Sequence, residues 1–355
     1  MEKSVRRVVF DCDIGIDDAW GLLMLLRAEE YLKSFKCEIP ESIPIQKFKL
    51  TAVTCVRGNA DIENTTKNAM RVLSAVKRMD IPVYKGCSGP ILPTNWKPYS
   101  DFHGKDGLGD VGDYPQINEE QQLCSEHAVN AMYRLACEFP GQIDYILIGP
   151  LTNFAMCINL YGDAFLDKIG NVYIMGGNIH GKGNATKSAE FNFMLDPEAA
   201  FIVLERLKQP ALILPWETCI DEELDLTLDW RLNVLGAVNS DFIKLMNRVE
   251  TNVFVPRGFV KWLTCDALLI AAYLFPSHVI AQQRGYYASV ELSGTQTRGQ
   301  MVLDHKKGRI VDYLHGKDIN ANLIYHLHAK HMRTIFAWAA GLEGVRIEQL
   351  WEEEK

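Results

Sequence analysis

Val8-Val9-Phe10-Asp11-Cys12-Asp13-Ile14-Gly15-Ile16-Asp17-Asp18-Ala19 is the stretch on which the reading of this chain turns. A short apolar run, β-branched at its start, is a buried strand. Gly15 then turns the chain, and a helical pattern opens at Asp17 and runs through Leu22, Leu23, Leu25 and Leu26. Four carboxylates therefore crowd one strand-to-helix turn. Alternation with period two sets Asp11 and Asp13 on one face of the strand end, while Asp17 and Asp18 fall in the first helical turn. The helix dipole tolerates two of these charges and does not neutralise four. Two like charges about 4 Å apart cost roughly 4 kcal/mol at an effective dielectric near 20, so the cluster must hold a proton or a cation. A hard divalent ion, Ca²⁺ or Mg²⁺, suits such an oxygen set better than zinc, because no Cys and His pair stands here at zinc-ligand spacing. A single Asp in such a turn is commonly a helix cap, and for Asp17 taken alone capping and chemistry stay equally open.

Bulk properties narrow the class. With 355 residues, 48% hydrophobic and 23% charged, the chain has the make-up of a soluble globular protein with room for one large α/β core. A formal net charge of −8, with no Lys/Arg cluster, argues against nucleic acid as a partner. Nine cysteines without a CxxC pair, and a start that runs into the first strand without an apolar signal core, point to the reducing cytoplasm. No apolar run reaches the roughly 18 residues of a membrane span, so no membrane partner is expected.

Outward from the first turn, strands and helices alternate. A helix from Asp17 to about Leu32 leads to an exposed connection at 34–49, broken by Pro40 and Pro44. Strands are expected at 50–56, 81–84, 144–148, 171–175 and 211–214, and helices at about 62–78 and 125–138. Asn59 stands where a strand hands over to a helix, a common place for a turn residue. The Gly-, Pro- and Asp-rich stretch 86–113 is long enough to be a lid or binding loop, and it contains His103. Thr152 or Asn153 can cap one helix, and Asp196 with Pro197 caps another. In an extended segment Glu190 and Asn192 point the same way. Residues 216–257 carry the least pattern. Trp262 and Phe254 can stack on a heterocycle but are more commonly core. His326, His328 and His331 are expected on a helix, where their spacing mixes faces and does not suit zinc. This alternation from end to end predicts a single α/β domain over residues 1–355, with a mostly parallel open sheet and helices on both faces. The motifs fall at the carboxyl ends of strands, where open α/β sheets bind ligands.

Several of these motifs resemble those of the nucleoside hydrolases. Residues 11–19 are similar to that family's Asp-Thr-Asp-Pro-Gly-x-Asp-Asp-Ala, departing at Cys12 and Ile14. His103-Gly104-Lys105-Asp106-Gly107-Leu108-Gly109, Gly149-Pro150-Leu151-Thr152-Asn153 and Ala189-Glu190-Phe191-Asn192 match three more. The resemblance spans roughly residues 6–304. It implies a Rossmann-like core and Ca²⁺-dependent cleavage of the N-glycosidic bond of ribonucleosides by a homodimer or homotetramer. Asp13, Asp18, Asp266 and the Ile148 carbonyl would hold the ion, and Asp13 would be the catalytic base. The sugar would be bound by Asp17, Asn59, Asn184, Glu190, Phe191 and Asn192, with His103 facing the base. Cys265 stands where known branches carry His or Trp, so departure of the base would need another group, and His103 is the first candidate for that catalytic role. Two rivals remain on sequence: a nucleoside-binding protein without turnover, and a phosphatase of the haloacid dehalogenase type. The second wants Thr or Val two residues after the second Asp, where Gly15 stands.

Overall fold

Val8, Val9 and Phe10 are fully buried, and they divide between two cores: Val8 and Phe10 face one, Val9 the other. A strand apolar on both sides needs a helical layer on each, the condition of a buried parallel sheet. The structure, a computed structural model, describes residues 5–35, 45–93, 102–305 and 319–352. Its strands are β1 (Arg6–Cys12), β2 (Phe48–Cys55), β3 (Val83–Lys85), β4 (Leu123–Cys124), β5 (Ile143–Leu147), β6 (Val172–Met175), β7 (Ala211–Leu214), β8 (Ile280–Tyr286), β9 (Ala288–Val290), β10 (Met301–Leu303) and β11 (Ala321–Leu327). Nine of them form one sheet in the order β4-β3-β2-β1-β5-β6-β7-β11-β8, with β9 and β10 apart as an antiparallel pair. Every neighbouring pair in the large sheet is parallel except β11 with β8. From β1 the chain first winds outward through β2, β3 and β4, then returns to the other side of β1 as β5 and continues outward. The strand order therefore reverses between β1 and β5, and a crevice opens at their carboxyl ends.

Helices α1 (Ile16–Lys33) and α2 (Ile62–Ala75) cover one face together with Asp241–Phe254, Cys265–Leu274 and Ala329–Ala340. Ala128–Glu138, Thr152–Tyr161 and Pro197–Arg206 cover the other. Helix α1 crosses Cys265–Leu274 closely at Gly21, where a Cβ would lie 3.2 Å from Ile270 Cγ1. This contact brings the first turns of both helices, with Asp17, Asp18 and Asp266, to the same end of the sheet. Beneath them Glu250 and Arg231 form an ion pair with both side chains fully buried. Glu250 Oε1 also accepts the indole N–H groups of Trp20 at 3.1 Å and Trp262 at 2.7 Å, and the Arg231 guanidinium lies 4.7 Å from the Trp20 ring centroid. Helix α1 is thus pinned from below at its second turn.

The sheet, the covering helices and most strand positions agree with expectation to within a few residues. Residues 216–257 do not: they contain the helices Trp216–Cys219 and Leu228–Asn233 and the 14-residue Asp241–Phe254. Its buried Phe242, Leu245, Met246, Val249 and Val253 do have helical spacing, and Ser240 caps it by accepting the Ile243 N–H at 3.2 Å. Instead of sharing a helix, His326 lies on β11, His328 precedes the helix Ala329–Ala340, and His331 is on it. Trp262 and Phe254 are core. The connection expected at 34–49 falls largely on 36–44, outside the described residues.

Removing one partner of the buried pair strands the other charge. Glu250→Gln should cost about 3 kcal/mol or more, read as a lower urea midpoint, whereas a double change of Arg231 and Glu250 to Met and Leu should cost less than the single one.

Candidate active site

At the end of β1 the Asp13 carboxylate is 1% exposed, and Asp18 is fully buried. Asp18 Oδ1 accepts the Asp13 N–H at 3.1 Å, and its Oδ2 accepts Gly15 N–H at 2.8 Å and Asn59 Nδ2 at 3.2 Å. Gly15 precedes the first helical residue, so Asp18, three residues on, performs the capping that Asp17 alone had left open. Asn59 also donates its backbone N–H to Asp13 Oδ2 at 2.7 Å, which explains why a turn residue follows β2 at this point. Gly58 beside it leaves the room: a Cβ there would fall inside contact distance of the Asp13 carboxylate. Asp13 Oδ1 is buried without a hydrogen-bond partner.

Asp266 opens the helix Cys265–Leu274 and is 4% exposed. Carboxylate oxygens of Asp17, Asp18 and Asp266 lie within 4.8 Å of one another, a separation that one cation can span. Asp13 joins them through Asp18. Burial, and after it the charge of Asp18, holds the Asp13 carboxyl well above the usual range. Burial and Asp17 push Asp18 up to about 7, and burial with the charges of Asp17, Asp18 and Asp13 raises Asp266. These groups are costly to ionise together without a positive partner.

Asp11 is the exception among the four carboxylates of the first turn. It lies behind the site, fully buried, where its Oδ1 accepts Thr54 Oγ1 at 2.6 Å and Asn153 Nδ2 at 2.8 Å; burial lifts it to about 7. Asn153 also donates to the Cys55 carbonyl at 2.9 Å and accepts the Cys87 N–H at 2.8 Å, tying the ends of β1, β2 and β3 together. The motif residue that looked like a helix cap is thus a strand tie.

A cavity of about 640 Å³ opens over the crevice, within the size range of small-molecule sites. Asp17, Asn59, His103, Ile148, Asn184, Glu190, Phe191, Asn192, Cys265 and Asp266 all line it. Glu190 and Asn192 reach it by a different route from the extended segment expected. Glu190 caps the short helix Phe191–Leu195, accepting N–H groups from Asn192 at 2.8 Å, Phe193 at 3.1 Å and, across the loop, Gly177 at 3.0 Å. Burial lifts its carboxyl to about 7. Asn192 donates to the Ile148 carbonyl at 2.8 Å and to that of Met175 at 3.2 Å, so one amide joins the ends of β5 and β6. His103 is held in place by accepting the Ile16 N–H at Nδ1, 3.1 Å away, with Nε2 4.0 Å from Asp17 Oδ1. Burial lowers its pKa, against the pull of Asp17 and with the help of Arg257. The thiol of Cys219 beside it, together with burial, raises Cys265 well above the ordinary thiol value.

Met175, Phe102, Trp216, Arg257, Phe259 and Leu263 complete the wall. Sequence reasoning missed them because none belongs to a chemical motif: Met175 ends β6, Trp216 opens the helix Trp216–Cys219, and the others sit in loops. The one usable signal was the placement of Arg257, Phe259 and Leu263 just before Asp266. Among the described residues no helix is long and apolar enough to cross a membrane, and the eight described cysteines are free.

The family model of the inosine-uridine preferring nucleoside hydrolases matches residues 8–334. The chain is 28% identical to the inosine-uridine preferring nucleoside hydrolase of Leishmania major, covering 86% of this chain and 89% of that one. It is 29% identical to a pyrimidine-specific ribonucleoside hydrolase of Escherichia coli, covering 89% and 92%. Among solved structures, an inosine-guanosine nucleoside hydrolase superposes with a TM-score of 0.81 at 24% identity over 95% of this chain and 99% of that one, and a plant nucleoside hydrolase with 0.80 at 22% over 96% and 100%. The match of fold, and of a family model running almost from end to end, places the chain in the inosine-uridine preferring nucleoside hydrolase family.

Proposed function

We propose that this protein hydrolyses the N-glycosidic bond of ribonucleosides, releasing ribose and the free base, with a divalent cation held by Asp13, Asp18, Asp266 and the Ile148 carbonyl. The observation that carries this reading is the buried, unpartnered Asp13 Oδ1 among carboxylates that burial and mutual repulsion keep from ionising alone. The donor set is all oxygen, which suits Ca²⁺, the ion that the family resemblance implies. When bound, such a cation supplies positive charge that stabilises the ionised carboxylates and makes nearby water more acidic.

The chain's own residues supply the rest. Asn59 fixes Asp13 through Oδ2, which leaves the carboxylate oriented to take a proton from the water that attacks the anomeric carbon. As the glycosidic bond breaks the sugar turns positive, and Asp17 and Glu190 provide negative charge along the cavity wall. Asn59, Asn184, Phe191 and Asn192 surround the sugar, and His103 lies toward the base. We take the working form to be a cytoplasmic homodimer or homotetramer, which light scattering on the purified protein would read.

The direct test is ribose release from a panel of purine and pyrimidine ribonucleosides. Asp13→Asn should lose at least about a hundredfold in kcat. Because sugar hydroxyls contribute most in the transition state, 2′-deoxynucleosides should lose in kcat as well as KM. Tight nucleoside binding without ribose release would favour the binding-protein reading instead.

Chelation should also leave a pH signature. A carboxyl whose pKa is higher in the folded chain than the roughly 4 of the unfolded one stabilises the fold fully below pH about 4. That contribution is lost as pH rises toward the value of about 7 given by Asp18 and Glu190. A cation favours the ionised forms and opposes the loss. The gap in Tm between Ca²⁺-loaded and chelated protein should therefore widen from pH 5 to pH 7.5; a constant gap would contradict the assignment. Cys265 should matter little to turnover: Cys265→Ala should keep at least roughly a tenth of kcat/KM, a loss of no more than about 1.4 kcal/mol. His103→Ala should lose more, since it also removes the acceptor for the Ile16 N–H.

A further inference from the structure

We infer that Arg257 is a catalytic residue, the cation that receives the departing base; this rests on the hydrolase reading above. The cavity wall carries charge of both signs. Asp17, Asp266 and Glu190 supply the carboxylates, and among its described lining residues Arg257 is the one side chain with a permanent positive charge. Arg257 follows the helix Asp241–Phe254, and its guanidinium lies 5.3 Å from the ring centroid of Phe102 while donating to the Phe102 carbonyl. Phe102 in turn meets Phe259 edge to face, with ring centroids 5.7 Å apart. Both rings line the cavity, so they give it an apolar wall on which a flat heterocycle can lie, with the guanidinium beside Phe102.

Other groups on this wall bring less charge to the task. The Cys265 thiol is a weak donor. With Nδ1 accepting the Ile16 N–H, the proton of neutral His103 sits on Nε2, and burial lowers its pKa, so it offers a neutral donor where Arg257 offers a full charge. Arginine is donor-only and stays charged, so its attraction grows as negative charge collects on the ring nitrogen and carbonyl oxygens of the base. That increase in the transition state is what raises a rate. The step balances without a proton from Arg257. Water oxygen bonds to the anomeric carbon, the water proton goes to Asp13, the electron pair of the broken carbon–nitrogen bond leaves with the base, and the base is then protonated by solvent.

The test varies the leaving group. Inosine and uridine release bases that need help, whereas p-nitrophenyl β-D-riboside releases a phenolate that is stable unaided. Arg257→Met should lower kcat for inosine and uridine by about a hundredfold or more, the range for removing one preorganised donor. The loss on the p-nitrophenyl riboside should stay under about tenfold by the same differential-stabilisation logic. Arg257→Lys should recover part of the loss on the nucleosides. Equal losses on all three substrates, a loss confined to KM, or no loss would overturn the role of Arg257 and leave the hydrolase reading standing. Failure of the unaltered protein to release ribose from any of the three would overturn both.

Discussion

Mutual repulsion among Asp13, Asp17, Asp18 and Asp266 is the constraint on which this architecture depends. Burial makes the ionised forms costly, and proximity makes the cost collective. The fold offsets part of it with backbone dipoles: N–H groups of Asp13, Gly15 and Asn59 point at the carboxylates, and the helices Ile16–Lys33 and Cys265–Leu274 both aim their N-termini at the cluster. A helix terminus contributes about 0.3–1 kcal/mol per charge in ordinary settings, and up to about 2 when partly buried. Repulsion between one close pair is about 4 kcal/mol at an effective dielectric near 20. Dipoles alone therefore lose, and the remainder falls to a proton or a cation.

Holding such a cluster together requires rigid support behind it. Asn153 ties three strand ends, and Asn192 ties two. The buried Glu250–Arg231 pair, with its two tryptophan donors, pins the helix that carries Asp17 and Asp18, and Gly21 lets the helix carrying Asp266 approach. Asparagine suits the ties because its amide donates and accepts at once without adding charge to a site already rich in it.

The cavity divides its work accordingly. Its carboxylate end is built from strand ends and helix first turns, the stiffest parts of the sheet. Another part of the wall comes from loops, with the aromatic contacts of Phe102, Phe254 and Phe259 joining two of them. Chemistry common to all ribonucleosides would thus rest on the rigid scaffold, and treatment of the base on the adaptable side.

The sequence by itself determined the alternation of strands and helices, the doubly covered sheet and the carboxylate turn, because hydrophobic period and a dense local motif are properties of neighbouring residues. It also named residues from Asp17 to Asp266 that line one cavity, most of them at a strand end or at the start of a helix. Tertiary structure alone decided which of them meet. Asp11 and Asp13 are two residues apart and look equivalent, and each keeps one unpartnered buried oxygen, yet Thr54 and Asn153 hold the first by its other oxygen while the second sits beside Asp18. Glu190 looked like a residue of an extended loop and is a cap that clasps Gly177. Phe102 carried no readable signal, and Arg257 and Phe259 none beyond their nearness to Asp266, because Phe102 meets the other two across the chain and local patterning does not record a contact made only by folding.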